Sequence, residues 1–232
     1  MTMHPNDRMD LMNAHNGIEY HVVGESGAKI IYSALTIAPT ENIWRVLDFG
    51  CGHGRIARHL RGLFPSGDMY FLDIDPGASQ FCAAQFGGEA VQAHTDFSEL
   101  DLPNNIDLIW LGSVFTHIDD RRIRILFDKL TKSLSRGGIL VGTFHGSFAI
   151  KRHAVKPMID EAKWKTIMDG YESSGIGWAH YDGASGAGDW GLSLTSPGYV
   201  MSLAEVNQNI RLVGYFDKAW ANFHDVAIWT RL

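Results

Sequence analysis

The apolar residues of the chain fall into short continuous runs, and stretches of helical periodicity separate one run from the next. Short apolar runs bounded by turn residues are typical of buried strands, and apolar residues three and four positions apart are typical of helices. Strands are predicted over 46–49, 69–74, 90–93, 106–111, 139–144, 211–216 and 223–230. Helices are predicted over 28–38, from 56 to Pro65, from Pro76 to Gly87, from Asp119 or Asp120 to Gly137, around 157–168, and from Ser196 to about Asn209.

Alternating strands and helices are typical of a parallel sheet that is covered by helices on both faces. We therefore expect an α/β fold with a doubly wound, mostly parallel sheet and an antiparallel strand at its C-terminal edge. The helix over 28–38 is expected to cover one end of the sheet, within an N-terminal helical cover over 1–42. A glycine-rich segment from Gly175 to Gly198 is expected to form a long loop or irregular hairpin, within an insertion over about 147–200 on the acceptor side.

Composition narrows the class of protein. The 232 residues carry no linker-like tract, and a hydrophobic fraction of 45% with a charged fraction of 20% is that of one ordinary globular domain. A net charge of −6 gives no basic footprint for nucleic acid. Cys51 and Cys82 form neither a disulfide framework nor a CxxC metal motif. With no leader-like or membrane-spanning apolar run, we expect a cytoplasmic protein without a nucleic-acid or membrane partner.

The stretch LDFGCGHGRIARHL, from Leu47 to Leu60, joins the first predicted strand to the helix that follows it. Asp48 precedes Gly50, Gly52 and Gly54 in a DxGxGxG pattern, where dinucleotide-binding turns have GxGxxG. Glycines allow a tight turn and the close approach of a ligand. If Asp48 faces that ligand, a pyrophosphate about 5 Å away at an effective dielectric of about 20 would cost about 3 kcal/mol. The pattern therefore favours a cationic ligand.

S-adenosylmethionine has an ammonium and a sulfonium group at its amino-acid end and no phosphate. VLDFGCGHGR resembles the first motif of the class I S-adenosylmethionine-dependent methyltransferases, and the resemblance covers most of the chain from Val46 to Leu232. FLDID, HTDFSEL, IDLIWLGSVFTHI and SRGGIL are similar to later elements of that family, in the same order. The resemblance implies a Rossmann-like fold, S-adenosylmethionine as cofactor, and a subgroup whose VFTH-containing members look like small-molecule or saccharide methyltransferases.

The resemblance also implies roles for individual residues in holding the cofactor. Asp73 lies 19 residues after Gly54, close to the roughly 20 at which Rossmann-like folds place the acid that binds the ribose hydroxyls. Asp96 falls where the family recognises the adenine amino group, with Phe97 beside it. The full set expected to bind the cofactor is Asp48, Gly50, Cys51, Gly52, Gly54, Asp73, Ile74, Asp96, Phe97 and Ser113.

Methyl transfer is an in-line displacement, and the enzyme aligns the acceptor and removes its proton where that is needed. A base is expected beyond the fourth and fifth strands, where His117 and His145 stand, because neutral histidine accepts a proton near neutral pH. His180 and the neighbours His224 and Asp225 are further candidates. A structural role is the alternative for each of these histidines.

We expect the protein to transfer a methyl group from S-adenosylmethionine to an oxygen, or less favourably a nitrogen, of a small-molecule acceptor. Trp164, Trp178 and Trp190 lie where they could line the acceptor pocket. GSVF stands where relatives that methylate nucleic-acid bases have (N/D)PP(Y/F), and the sequence has no HExxH or magnesium-type motif, so no metal is expected. A nicotinamide-dependent oxidoreductase and a noncatalytic protein that binds the cofactor stay open as alternatives.

Overall fold

The computed structural model describes residues 3–5, 7, 9, 17–38, 40, 42–181 and 190–232. Its strands are β1 (Arg45–Phe49), β2 (Asp68–Leu72), β3 (Glu89–Val91), β4 (Ile106–Leu111), β5 (Leu134–Phe144), β6 (Ile176–His180), β7 (Gly191–Thr195), β8 (Ile210–Trp220) and β9 (His224–Arg231). The helices are α1 (Gly17–Ile37), α2 (Ala57–Leu63), α3 (Pro76–Phe86), α4 (Asp120–Ser133), α5 (Ser147–Val155), α6 (Glu161–Ser174) and α7 (Pro197–Glu205).

Seven strands form the main sheet, in the order β3-β2-β1-β4-β5-β9-β8. Neighbouring strands from β3 to β5 are parallel, whereas β9 is antiparallel to both β5 and β8. The expected α/β fold with a doubly wound, mostly parallel sheet is confirmed, and β9 lies one position inside the edge strand β8. The strand order reverses between β1 and β4, which is where open sheets of this kind bind ligands.

Each face of the sheet is covered by its own apolar cluster. On one face the cluster includes Ile123 and Leu126 of α4 together with Val200 of α7, and on the other it includes Ile31 of α1 and Leu60 of α2. Since neighbouring residues of a strand point to opposite faces, the continuous apolar runs of β1 and β4 fill both clusters. The main sheet is therefore buried on both faces, and a ligand site is expected at the ends of its strands.

Some predicted boundaries were wrong. Helix α1 begins at Gly17, before the predicted 28–38. The helix predicted around 157–168 is α6, which begins at Glu161 and ends at Ser174, and α5 precedes it. The helix from Asp119 was expected to run to Gly137, but α4 ends at Ser133 and Leu134 begins β5. Leu134 continues the apolar stripe of α4, so spacing alone could not assign it to the strand.

The segment from Gly175 to Gly198 contains an ordered hairpin, in which β6 and β7 pair antiparallel from Ile176 with Thr195 to His180 with Gly191. Residues 182–189, which also belong to that segment, lie outside the described residues. A third apolar cluster packs the hairpin against α5 and α6, so much of the predicted insertion is a layer with a core of its own. In the described part of the chain, no helix has the length and apolarity that a membrane span needs.

Candidate functional site

A cavity of about 510 Å³ opens beyond the carboxyl ends of β1, β2 and β4, at the reversal of strand order. Its volume lies within the range of about 300 to 1,000 Å³ that is typical of small-molecule pockets. The wall combines the turn after β1, the residues that follow β2 and β4, residues 93–95, and side chains from distant parts of the chain. The sequence motifs after β1, β2 and β4 therefore meet at one place.

The glycine turn after β1 is fastened to the end of β2. The backbone N–H groups of Gly50 and Cys51 donate to the Leu72 carbonyl at 2.7 and 3.1 Å. Gly52 lies on the cavity wall with φ of 49°, and a Cβ there would meet no atom within 4 Å. Gly54 has φ of 90°, and a Cβ there would overlap an aromatic ring of α3. Gly52 thus leaves open space at the cavity, whereas Gly54 lets the turn pack closely on α3.

Asp73 follows β2 and lies on the cavity wall beside Ile74. Its Oδ2 accepts a hydrogen bond from the Gly52 N–H at 2.8 Å, and its Oδ1 accepts one from the Asp75 N–H at 2.9 Å. Burial raises the pKa of this carboxyl, and the two backbone donors act in the opposite direction. A carboxylate can accept about four hydrogen bonds, so Asp73 retains capacity for the hydroxyl groups of a ligand.

Asp48 lies behind the glycine turn and does not belong to the cavity wall, although the sequence predicted that it faces the ligand. Alternation along β1 places Leu47 and Phe49 in one core cluster and Val46 in the other, so Asp48 shares the face of Val46. It is 1% exposed, and burial together with the charge of Asp73 raises its pKa to about 8. Its Oδ2 has no hydrogen-bond partner among the described residues. The Asp48 carboxyl is thus mostly protonated at pH 7.

The segment after β3 contributes residues 93–95 and Phe97 to the cavity wall, and Asp96 is not part of that wall. The Asp96 side chain is exposed, and its Oδ1 accepts hydrogen bonds from the N–H and the hydroxyl of Ser98 at 2.9 and 2.7 Å. These bonds cap the short 3-10 turn Phe97–Glu99 and lower the pKa of the Asp96 carboxyl. Adenine recognition by Asp96 stays a prediction. The wall residues His94 and Thr95 belong to HTDFSEL, although only Asp96 and Phe97 of that stretch were expected to bind the cofactor.

Ser113 follows β4 on the cavity wall, with a positive φ of 57°. Its N–H donates to the Thr143 hydroxyl at 2.7 Å, and its Oγ lies 3.2 Å from the Thr116 Oγ1. Positive φ is uncommon outside glycine, so the backbone at Ser113 is held in a strained conformation by its surroundings. Cys51 also lies on the wall, and the neighbouring thiol of Cys82 and burial both raise the pKa of its own thiol.

His117 ends a short 3-10 turn, Phe115–His117, and lies on the same wall. Its Nδ1 is 3.1 Å from the Gly191 carbonyl oxygen and 3.2 Å from the Tyr181 hydroxyl. The Trp178 indole N–H donates to the His117 carbonyl at 3.2 Å, and the Trp190 ring lies 6.0 Å away, centroid to centroid. Burial lowers the pKa of His117, so its imidazole is neutral at pH 7.

The other predicted bases lie off the cavity wall. His145 is 5% exposed, its Nδ1 lies 3.1 Å from the Ser193 carbonyl oxygen, and burial lowers its pKa to about 3. His224 stacks on His145 with 5.1 Å between ring centroids, His180 is exposed, and Asp225 is buried. The contacts of His145 are those of a structural residue that fastens β7 to the main sheet, and a catalytic role for it stays a prediction. In the described ranges, no group of three or more His, Cys, Asp or Glu is arranged to hold a metal ion.

Sequence reasoning missed a contribution from the N-terminal part of the chain. Asp7 and Met9 lie on the cavity wall. The Tyr20 hydroxyl of α1 donates to Asp7 Oδ2 at 2.7 Å, and Arg58 Nη2 lies 3.4 Å from the Tyr20 oxygen. The wall therefore includes residues far in sequence from every motif, and no local pattern around Asp7 indicated this.

The end of the cavity near His117 is lined by Ile118, Arg122 and Trp190. Of the three tryptophans considered for an acceptor pocket, Trp190 is on this wall, whereas Trp178 lies behind it and contacts His117. Trp164 stacks on a histidine of α5 in the third apolar cluster, away from the cavity. Arg122 was missed because the helical stripe of α4 identified only the apolar face of that helix.

Comparison with known proteins supports the same interpretation. Residues 47–140 match a family model described as a methyltransferase domain. The chain is 27% identical over 135 residues to a malonyl-[acyl-carrier protein] O-methyltransferase of Acetivibrio thermocellus, covering 58% of this chain and 47% of the relative. Its fold matches an S-adenosylmethionine-dependent methyltransferase from Clostridium acetobutylicum with a TM-score of 0.61 at 12% identity, over 89% of this chain and 91% of that one. A 1,6-didemethyltoxoflavin-N1-methyltransferase of Burkholderia thailandensis, solved with 1,6-didemethyltoxoflavin and S-adenosylhomocysteine, matches with a TM-score of 0.60 at 13% identity, over 96% and 84%.

The chain spans about half the length, or less, of the curated relatives that it matches. The matched residues 47–140 run from β1 into β5 and include the glycine turn, Asp73 and His117. The sequence left a nicotinamide-dependent oxidoreductase open as an alternative, and the proteins reported above are all methyltransferases. The sheet order and the glycine turn at its switch point agree with the match of residues 47–140 to a methyltransferase domain and with the resemblance to the class I S-adenosylmethionine-dependent methyltransferases.

Proposed function

We propose that the protein transfers a methyl group from S-adenosylmethionine to an oxygen atom of a small-molecule acceptor, with His117 as the general base. The observation that carries this proposal is the position of His117 on the cavity wall, with Nδ1 held 3.1 Å from the Gly191 carbonyl oxygen. His145 and His224 lie behind that wall. Of the histidines that the sequence predicts as bases, His117 is therefore the one that lies on the cavity wall.

The residues of the wall fit the cofactor. The open space at Gly52 suits a ligand that approaches the turn closely, and Asp73 retains hydrogen-bond capacity for ribose hydroxyls. Three carboxyl groups, of Asp7, Asp73 and Asp75, lie on the wall, and they would repel a pyrophosphate but not a phosphate-free, cationic ligand. When bound, S-adenosylmethionine supplies an electrophilic methyl group on a sulfonium that leaves as a neutral thioether.

Hydrogen bonding sets the tautomer of His117. A carbonyl oxygen can only accept, so the contact with Gly191 places the imidazole proton on Nδ1 and leaves the lone pair on Nε2. With the proton on Nδ1, Nε2 would be free to take the proton of an acceptor hydroxyl as that oxygen accepts the methyl group. The lowered pKa of His117 keeps the imidazole in the neutral, proton-accepting form.

An oxygen acceptor is favoured over nitrogen because a hydroxyl must lose its proton for transfer, and His117 is placed to take it. The names of similar proteins do not decide the matter, since one is an O-methyltransferase and another an N1-methyltransferase. The preference for oxygen therefore rests on His117 alone.

The test combines binding with turnover. Isothermal titration calorimetry should show S-adenosylhomocysteine binding, and incubation with S-adenosylmethionine and a panel of phenols, alcohols and amines should release S-adenosylhomocysteine with an oxygen acceptor. Turnover confined to amines would overturn the oxygen assignment. Tight binding with no transfer to any acceptor would instead identify a protein that holds the cofactor without using it.

A further inference from the structure

Arg122 provides a cationic group at the acceptor end of the cavity. It lies on the wall beside His117, Ile118 and Trp190, and its side chain is 17% exposed. The other arginine of the cavity wall, Arg55, belongs to the glycine turn, where burial lowers the pKa of its guanidinium. The two cations of the wall thus serve different parts of the cavity, and Arg122 has no role in the cofactor site described above.

Neighbouring residues hold the Arg122 guanidinium in one orientation. Its Nε donates to Asp119 Oδ2 at 2.8 Å, and its Cζ lies 5.1 Å from the ring centroid of Trp178. The Trp178 indole in turn donates to the His117 carbonyl, so the same side chain contacts both the guanidinium and the proposed base. A guanidinium held this way loses little freedom when it binds a ligand, because its fork is already oriented.

Part of the hydrogen-bonding capacity of Arg122 is unused. Its Nη2 is buried and has no hydrogen-bond partner among the described residues, whereas Nε is committed to Asp119. Buried donors normally have partners, so Arg122, a residue of the cavity wall, retains hydrogen-bonding capacity for a group that arrives with the ligand. Asp119 offsets part of the positive charge, which suits a singly charged carboxylate better than a phosphate dianion.

We propose that the acceptor is an aromatic hydroxy acid whose carboxylate pairs with Arg122 while its hydroxyl faces His117. This inference rests on the proposed function. The aromatic ring of Trp190 lies on the cavity wall beside His117, 6.0 Å from the imidazole between centroids, and supplies a flat surface for a planar acceptor. Arg122 is thereby a specificity-determining residue of the acceptor site.

The experiment measures binding of 2-, 3- and 4-hydroxybenzoate, and of the matching hydroxybenzamides, to protein saturated with S-adenosylhomocysteine. We expect at least one acid to bind the wild type at least ten times more tightly than its amide, because only the acid carries the charge. Arg122→Met should remove that preference. Arg124→Met is the matched control, since Arg124 lies on the same helix, pairs with Asp120 and is not on the cavity wall.

Arg122→Gln serves as a second variant that can still donate to Asp119, and unchanged affinity for S-adenosylhomocysteine shows that each variant is folded. Equal binding of acids and amides by the wild type, no binding of any acid, or an unchanged preference in both Arg122 variants would overturn the inference while the proposed function stands. A wild-type protein that does not bind S-adenosylhomocysteine would overturn the proposed function, and this inference with it.

Discussion

Asp73 Oδ2 accepts a hydrogen bond from the Gly52 N–H at 2.8 Å, and this bond joins the carboxyl ends of β1 and β2 across the cavity wall. The acid expected to bind the ribose is therefore also a support of the glycine turn. Substitution of Asp73 affects two features at once, since the turn loses an acceptor and the cavity loses a carboxylate.

Asp73→Ala should weaken S-adenosylhomocysteine binding by about 2 kcal/mol, or roughly thirty-fold, because hydrogen bonds to a charged group are lost. Calorimetric titration measures this directly. Asp68→Ala, at the exposed opposite end of β2, is the control and should bind like the wild type. An unchanged dissociation constant for Asp73→Ala would refute the assignment of Asp73 to the cofactor.

Gly52 and Gly54 should respond differently to alanine. Gly52→Ala places a methyl group in open space, so the loss of stability should be only the cost of a left-handed backbone, about 1 kcal/mol. Because that space belongs to the cavity, the affinity for S-adenosylhomocysteine should fall roughly ten-fold. Gly54→Ala should lose about 2 to 4 kcal/mol of stability because the methyl group overlaps a ring of α3. Urea unfolding and calorimetry check both variants, and equal effects at the two positions would contradict the geometry.

His117→Ala should reduce transfer to a hydroxyl acceptor by about 10²-fold or more while leaving S-adenosylhomocysteine affinity nearly unchanged. The pKa of His117 is lowered from 6.5, so the midpoint of the acid limb of wild-type turnover should lie below pH 6.5. The acid limb should vanish in the residual activity of His117→Ala. His180→Ala, at an exposed histidine off the cavity wall, should keep both the rate and the limb.

Asp48 should make the free protein less stable as the pH rises. Its pKa is about 8 in the folded protein and near 3.8 when unfolded, so the folded state binds the extra proton between these values and stability falls as the pH passes from 3.8 to 8. Relative to Asp48→Asn, the wild type should lose on the order of 4 kcal/mol between pH 4 and pH 7. Denaturant titrations at both pH values measure that difference, and parallel pH dependences would show that Asp48 ionises normally.

The sequence by itself determined the class of fold and the position of the cofactor turn. Short apolar runs alternating with helical stripes specify a buried parallel sheet, and the order of DxGxGxG, Asp73 and GSVFTH along the chain is local information. Each of these features depends on residues a few positions apart, so each can be identified from the sequence without knowledge of the tertiary contacts.

Tertiary structure decided which side chains reach the cavity. Asp48 and Asp96 both belong to motifs. The Asp48 side chain nevertheless points into the core because residues alternate along the strand, and the Asp96 carboxylate caps the turn that follows it. His117 and His145 both follow strands, but only the first of this pair lies on the wall. Arg122 also packs on Trp178, a contact between α4 and the β6–β7 hairpin that sequence spacing cannot encode, because it depends on how two distant elements pack.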